Sequence, residues 1–330
     1  MNIGQLDIPN ALLLAPMEDV TDISFRLICK RRGADVVFTE FVNAEGLVRS
    51  SAKTHRKMEF LPEERPFGIQ IYGAEGASME RAAQMAEALQ PDILDINCGC
   101  WVKKVVGHGA GAGLLRDLPK LQQIVSSVVR AVSIPVTVKT RLGWDTSSIR
   151  IVEVAKMLED TGIRGLTIHC RTRAQGHEGD PDYTYIPAVK QAVSIPIIVN
   201  GGIDSPQIAA RVFRETGCDG VMIARGAIHN PWIFEQTKHH LQTGEMLPEP
   251  TFEQRITLML EHLSLSVQQK GPRYGVMEFR KHYSGYLRDV PGVAKLRAEL
   301  VTLAEEEQVA ARVRAFLEQL PLELEDHVAA

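Results

Sequence analysis

Short apolar runs alternate with amphipathic segments along the first part of this chain. The runs are Ala11–Met17, Asp35–Phe41, Pro66–Gly73, Ile93–Gly99, Pro135–Gly143, Gly165–Thr172, Pro196–Ile203 and Gly220–Gly226. They are rich in Val and Ile, and Pro or Gly opens several, as expected of buried parallel strands. The segments between them include Met79–Leu89, Leu118–Val132, Ile149–Thr161, Tyr185–Val193 and Ser205–Thr216. Each carries apolar residues at helical spacing, as in Ile151, Val154, Ala155 and Leu158. Eight strand–helix units over roughly 240 residues predict an α/β fold, a (β/α)8 TIM barrel. A doubly wound sheet needs a glycine-rich fingerprint after its first strand. Here the first run leads into APMEDVTD, so the barrel is preferred.

The pattern changes after about Gly244. Leu247–Pro250 reads as a linker, and no strand-like run follows. Thr251–Lys270, Val276–Arg288, Val293–Glu306 and Gln308–Leu320 read as helices punctuated by Gly and Pro. The expected division is a barrel domain over residues 1–243 and an all-helical domain over 244–330.

Strand ends carry the candidate chemistry. The eight runs finish in Pro16 and Met17; Glu40; Gln70; Asn97 and Cys100; Lys139 and Arg141; His169 and Arg171; Asn200 and Gly201; Ala224 and Arg225. In a closed barrel these positions converge on one face, where barrel active sites lie. Gly201 and Gly202 after the seventh run, with Ala224–Gly226 after the eighth, stand where barrels commonly bind phosphate. A phosphate site without a dinucleotide crossover suggests a phosphorylated cofactor such as FMN. Lys139 interrupts an apolar strand, which is costly unless something anionic meets it. The pyrimidine edge of a reduced flavin is one such partner, with Gln70 bonding the same ring. The alternative is a lysine that reaches solvent from the strand end. Cys100 offers a thiol that is mostly protonated at neutral pH. Cys98 reads as a core residue. The Cys-x-Cys pair lacks a second ligand pair of zinc-like spacing, so no metal is expected.

Composition narrows the setting. The 330 residues are 45% hydrophobic with a net charge of −4, so any RNA-binding surface must be a local patch. Five cysteines are an odd number in a long chain and point to a reduced, cytoplasmic protein rather than a disulfide framework. No run is apolar enough to span a membrane, and the first residues lack the features of a signal peptide. From Lys270 to Arg297 basic residues accumulate, including Arg280, Lys281 and Arg288, with Tyr274, Tyr283 and Tyr286 among them. With Lys103 and Lys104 beside Cys100, this is a candidate path for RNA phosphates, the tyrosines stacking on bases. The alternative is a solvated helix face with the tyrosines in a core.

The motifs LAPMEDVTD, TEFV, DINCGC followed by VKKV, VKTRLGWD, IHCRTRAQG, VNGGI, ARGAI and FRKHYSGYL together resemble the tRNA-dihydrouridine synthases, the bacterial B-type branch above all. The resemblance runs through the whole chain in the family's order. It implies an FMN-containing barrel with a C-terminal helical domain, reducing the C5=C6 bond of selected tRNA uridines with NADPH or NADH. By matching motif it implies that Pro16, Met17 and Glu18 lie along the flavin. Gln70 and Lys139 would hold its ring, with His169 facing it. Asn200, Gly201, Gly202, Ala224 and Arg225 would hold its ribityl chain and phosphate. Asn97 and Arg141 would contact the uracil, and Cys100 would donate the proton. Arg171, Lys103, Lys104, Arg280 and Lys281 are further expected contacts to tRNA, and a monomer is expected. The chain departs from the family pattern at Trp101, usually Pro; His108, usually Arg or Lys; His177, usually Tyr or Phe; and Cys170, usually Gly. These departures bear on the uracil pocket and on how well Cys100 works. Two other readings are a flavin barrel reducing a small pyrimidine or enone, and a non-catalytic RNA-binding homologue.

Overall fold

The computed structural model describes residues 1–320. Eight parallel strands form the barrel: β1 (Ala11–Leu14), β2 (Val37–Phe38), β3 (Phe67–Tyr72), β4 (Ile93–Asn97), β5 (Val136–Arg141), β6 (Leu166–His169), β7 (Ile197–Asn200) and β8 (Gly220–Ile223). Each lies within one of the eight expected runs. They pair in the order β1-β8-β7-β6-β5-β4-β3-β2. The ring closes through the Leu13–Val36 bridge, with Leu14 N–H donating to the Val36 carbonyl at 2.9 Å. Two-residue strands before β1, Asn2–Ile3 and Leu6–Asp7, escaped the sequence reading because they are too short to show a period. They put Met1 and Ile3 against Leu13, Val36, Phe38, Ile93 and Ile198, an apolar plug for the barrel floor.

A helix follows each strand on the outside: α1 (Ile23–Arg31), α2 (Ala44–Val48), α3 (Gly76–Glu87), α4 (Leu118–Ala131), α5 (Ile151–Asp160), α6 (Ile186–Ala192), α7 (Pro206–Thr216) and α8 (Ile233–Thr243). Their limits follow local chemistry. Ser205 caps α7 by accepting the Ile208 N–H, Pro206 fills a position that needs no donor, and Gly217 ends the helix at φ +63°.

The helical part is α9 (Phe252–Lys270), α10 (Pro272–Phe279), α11 (Val293–Leu300) and α12 (Glu306–Leu317). Thr251 and Gln254 cap α9 reciprocally. The expected Val276–Arg288 helix is broken up: α10 starts earlier, at Pro272, and gives way to a 3-10 turn at Arg280–His282 and a single helical turn at Tyr283–Tyr286. Pro272 suits the early start, since the first helical position needs no N–H donor. A Cβ on Gly275 would lie 2.5 Å from the Val267 Cα, so only glycine lets α10 approach α9. Tyr283 and Tyr286 are 1% and 2% exposed in the core of this part, so they are packing residues and not stacking surfaces. Only Tyr274, at 63%, remains open. This core takes in Ile28 and Trp232 from the barrel side, so α1 and α9 share one apolar contact. Residues 321–330, the end of the expected second domain, lie outside the described residues. No helix among the described residues is long and apolar enough to cross a membrane.

Candidate active site

Strand register assembles the site. Asn97 on β4 stands opposite Lys139 on β5. Arg141, two residues on, stands opposite His169 on β6, which faces Asn200 on β7, which faces Met222 on β8. Side chains two apart on a strand share a face, so one ring of positions opens on one end of the barrel. There the structure has a cavity of about 890 Å³, within the range of small-molecule and cofactor sites, roughly 300–1,000 Å³. Pro16, Met17, Glu18, Asn97, Cys100, Lys139, Arg141, His169, Arg171, Asn200, Gly201, Gly202, Ala224 and Arg225 all line it. Cys100 and Lys139, the two residues on which the flavin reading most depends, therefore share one space.

Gln70, Lys103, Lys104, Arg280 and Lys281 do not line the cavity. Gln70 is wholly buried beneath it. Its amide donates to Asp95 Oδ2 at 2.6 Å and accepts from Asn97 Nδ2 at 2.8 Å. Asn97 Oδ1 then accepts the N–H groups of Gly99 and Cys100, at 3.1 and 2.9 Å. Thr137 donates to the other Asp95 oxygen at 2.6 Å. Asp95 was not singled out from the sequence; its place inside ILDIN gave no sign that a carboxylate would anchor the network. Burial lifts its pKa to about 6, against the hydrogen bonds from Thr137 and Gln70. The chain of bonds from Asp95 to Cys100 fixes the thiol loop from below.

Arg141 fixes the same loop from the side. Its Nε donates to the Gly99 carbonyl at 2.8 Å, and Nη1 to the carbonyls of Thr172 and Gly176 at 2.9 and 2.8 Å. Burial pushes the Cys100 thiol pKa up, while the Val102 N–H and the charges of Arg141 and Lys139 pull it down. The net result is upward, so the group is a thiol at neutral pH. Its thiolate, once formed, would meet an N–H and two cations.

The Lys139 ammonium has no hydrogen-bond or ion-pair partner among the described residues. Burial, helped by the Arg141 charge and opposed by Asp95, lowers its pKa to about 8. His169 is held neutral by burial and by the nearby cations. Its Nε2 lies 3.2 Å from Arg171 Nη1, which can only donate, so the His169 proton is on Nδ1. Arg171 Nε donates to the Gly179 carbonyl at 2.9 Å. Asn200 Nδ2 donates to the Met222 carbonyl at 2.7 Å. Gly201 takes φ +110°, where a Cβ would sit 2.6 Å from the His169 ring. Arg225 is exposed at the rim and, like Lys139, pairs with no carboxylate among the described residues.

Sequence reasoning missed Phe41, Asp204, His229, Asn230 and Glu249, which also line the cavity, as does Arg288, read from the sequence only as part of a basic path for RNA. Glu249 and Arg288 come from beyond the barrel, and no strand pattern marks them. Lys103 and Lys104 are exposed on the short helix Lys103–Gly107, which begins three residues after Cys100. Arg280 and Lys281 are turned toward the protein: Arg280 Nη2 donates to the Leu303 carbonyl at 3.0 Å, and Lys281 donates to the Asp19 carbonyl.

The family model for the dihydrouridine synthases matches residues 13–321 of this chain. The chain belongs to the dihydrouridine synthase family. It is 42% identical over 316 residues to tRNA-dihydrouridine synthase B of Pseudomonas aeruginosa, covering 96% of this chain and 95% of the relative. It is 41% identical over 301 residues to the probable tRNA-dihydrouridine synthase 1 of a Synechocystis species, covering 91% and 84%. Among solved structures, the old yellow enzyme homologue of Zymomonas mobilis superposes with a TM-score of 0.52 at 14% identity, over 77% of this chain and 94% of that one. Histamine dehydrogenase of a Rhizobium species gives 0.55 at 13% identity, over 80% and 50%. At such identity these two share the barrel fold with this dihydrouridine synthase family member, and the likeness says no more than that.

Proposed function

We propose that this protein is a B-type tRNA-dihydrouridine synthase, reducing the C5=C6 bond of selected tRNA uridines with FMN as cofactor and NADPH or NADH as reductant. The observation that carries this reading is the pairing of a protonated thiol with an unpartnered lysine in one cavity, in a chain of this family. The residues suit FMN. The Lys139 ammonium lacks a protein partner where an electron-rich ring edge would complete it, and the Gly201–Gly202 backbone and Arg225 offer N–H groups and charge for a phosphate. Pro16, Met17 and Glu18 would border the ring, and His169 and Asn200 would face the cofactor. Gln70 would support it from beneath, through Asn97. When bound and reduced, FMN supplies a hydride equivalent to C6 of the uracil.

The rest of the chemistry belongs to this chain. Addition at C6 pushes charge toward C5 and the C4 carbonyl, and the Cys100 thiol holds the proton that C5 needs. Burial keeps that proton in place until it is used. The Val102 N–H, Arg141 and Lys139 then stabilise the sulfur anion left behind. Arg141 and Asn97 serve first as positioning residues: Asn97 accepts the Gly99 and Cys100 N–H groups, and Arg141 ties the Gly99 carbonyl to the Thr172 and Gly176 carbonyls. A uridine in folded RNA must leave its stack to enter such a cavity, as in other base-modifying enzymes. Residues 1–243 would thus carry the chemistry. Residues 244–330, with Lys103, Lys104 and Arg171 of the barrel, would engage the RNA in the cytoplasm.

The test is reductant oxidation coupled to formation of dihydrouridine, with unmodified tRNA compared with free uridine. The reading expects turnover on tRNA. Turnover on free uridine and none on tRNA would sink it in favour of a small-molecule reductase.

A further inference from the structure

Trp101 directly follows the thiol residue and is 39% exposed, unusual for an indole beside a buried reaction centre. It is not loose. Its Nε1–H donates to His177 Nε2 at 3.3 Å, and the two rings meet edge-on with centroids 5.4 Å apart. The ring rests on Gly176, where a Cβ would come within 3.3 Å of indole carbons. Gly176 is in turn held through its carbonyl by Arg141. His177 sits 5.9 Å from the His169 ring, centroid to centroid. Both Trp101 and His177 line the cavity. An indole with one side on glycine, its N–H satisfied and the remaining surface open is a preformed plane at the rim. Two and three residues after it come Lys103 and Lys104, exposed and without ion-pair partners among the described residues. Thiol, aromatic plane and paired cations therefore follow one another within five residues, Cys100 to Lys104.

We propose that Trp101 is a stacking platform for a nucleobase adjoining the uridine in the cavity, held in place by His177, with Lys103 and Lys104 receiving the phosphates that follow. The proposal rests on the RNA-reductase reading above and deepens it: it names where the substrate's neighbouring nucleotide is held. Aromatic planes flanked by cations bind single-stranded nucleic acid this way, and the plane tolerates any base. His177 acts as a positioning residue. It is kept neutral by burial and by Arg141, Arg225, Arg171 and Lys139, so its Nε2 stays an acceptor for the indole.

The test uses the full chain with its flavin. Trp101→Ala is expected to raise KM for tRNA about 10- to 100-fold, with the loss falling in KM rather than in kcat. Trp101→Phe, which keeps a plane, should recover most of it. His177→Phe, which frees the indole, should give a smaller rise in KM. A second readout needs no turnover: a short single-stranded RNA should quench tryptophan fluorescence in the wild type and much less in Trp101→Phe, where only Trp144 and Trp232 remain. A loss confined to kcat, or quenching by NADPH but not by RNA, would overturn the proposal. Absence of any turnover on tRNA by the wild type would instead count against the functional reading, and the quenching experiment separates the two.

Discussion

Two lysines removed from bulk water are treated in opposite ways. Lys139, at the barrel mouth, meets no carboxylate, and burial drags its pKa down to about 8. Lys270, at the seam between barrel and helical part, lies 2.6 Å from Asp22 and 2.5 Å from Glu278, and its pKa is raised even though burial alone would lower it. The same side chain is neutralised from within at one place and left open at the other. An ion pair completed by the protein serves the fold. One left without a protein partner is open to a ligand.

Four experiments sharpen or break this contrast. The largest effect should come from the mouth: Cys100→Ala should cut dihydrouridine formation by about 10²- to 10⁴-fold, the usual range for losing a general acid, in single-turnover assays with the flavin already reduced. Retention of more than a tenth of the rate would leave the thiol without a catalytic part. Next, the lysines themselves should diverge. Lys270→Met strands the Asp22 carboxylate and should cost about 3 kcal/mol in chemical denaturation. Lys139→Met should leave the flavin-free protein at least as stable while weakening flavin binding. Equal destabilisation by both would erase the distinction.

Acid should separate the regions as well. His282 is buried at the seam with neither ring nitrogen partnered, and burial holds its pKa to about 4. His262, stacked on Phe25 nearby, is shifted the same way. For a histidine depressed on folding, the unfolded chain binds more protons below its ordinary pKa of about 6.5, so stability is lost as pH falls from there toward 4. The loss at His282 is on the order of 2 kcal/mol by pH 4.5. Asp22, held well below the usual carboxylate range chiefly by Lys270 against the cost of burial, keeps its contribution until lower pH. His282→Phe should flatten melting temperature against pH across that window; an unchanged profile would clear this histidine of the effect. The smallest effect belongs to Lys103 and Lys104. Replacing both with Ala should lower the slope of log affinity for tRNA against log salt by up to about 2, with only a few-fold loss at physiological salt.

The barrel was legible because its strands are buried on both faces and its helices on one, so apolar positions alone mark each unit. The strand ends were legible as cavity wall for a related reason: side-chain alternation projects Asn97, Lys139, Arg141, His169 and Asn200 onto one ring once the strands are in register. What the chain order hid were partnerships across strands. Gln70 reads as a ligand contact but is committed to Asp95 and Asn97. Lys281 reads as an RNA contact, yet it donates to the Asp19 carbonyl. Glu249 and Arg288 reach the cavity from beyond the strand pattern altogether. Tyr283 and Tyr286 read either as stacking surfaces or as core residues, and packing against Phe279 and His262 shows them to be interior.

The grip of Lys270 and Lys281 on the turn after β1 has a consequence for how such a protein can change. Met17 and Glu18, which wall the cavity, belong to the same short turn as Asp19 and Asp22. A foreign helical module grafted onto this barrel would arrive without the two ammonium groups that clasp that turn. Grafting a different helical part would therefore deform the Met17–Glu18 wall of the cavity unless both lysines travelled with the graft, so the two parts of the chain must be inherited together.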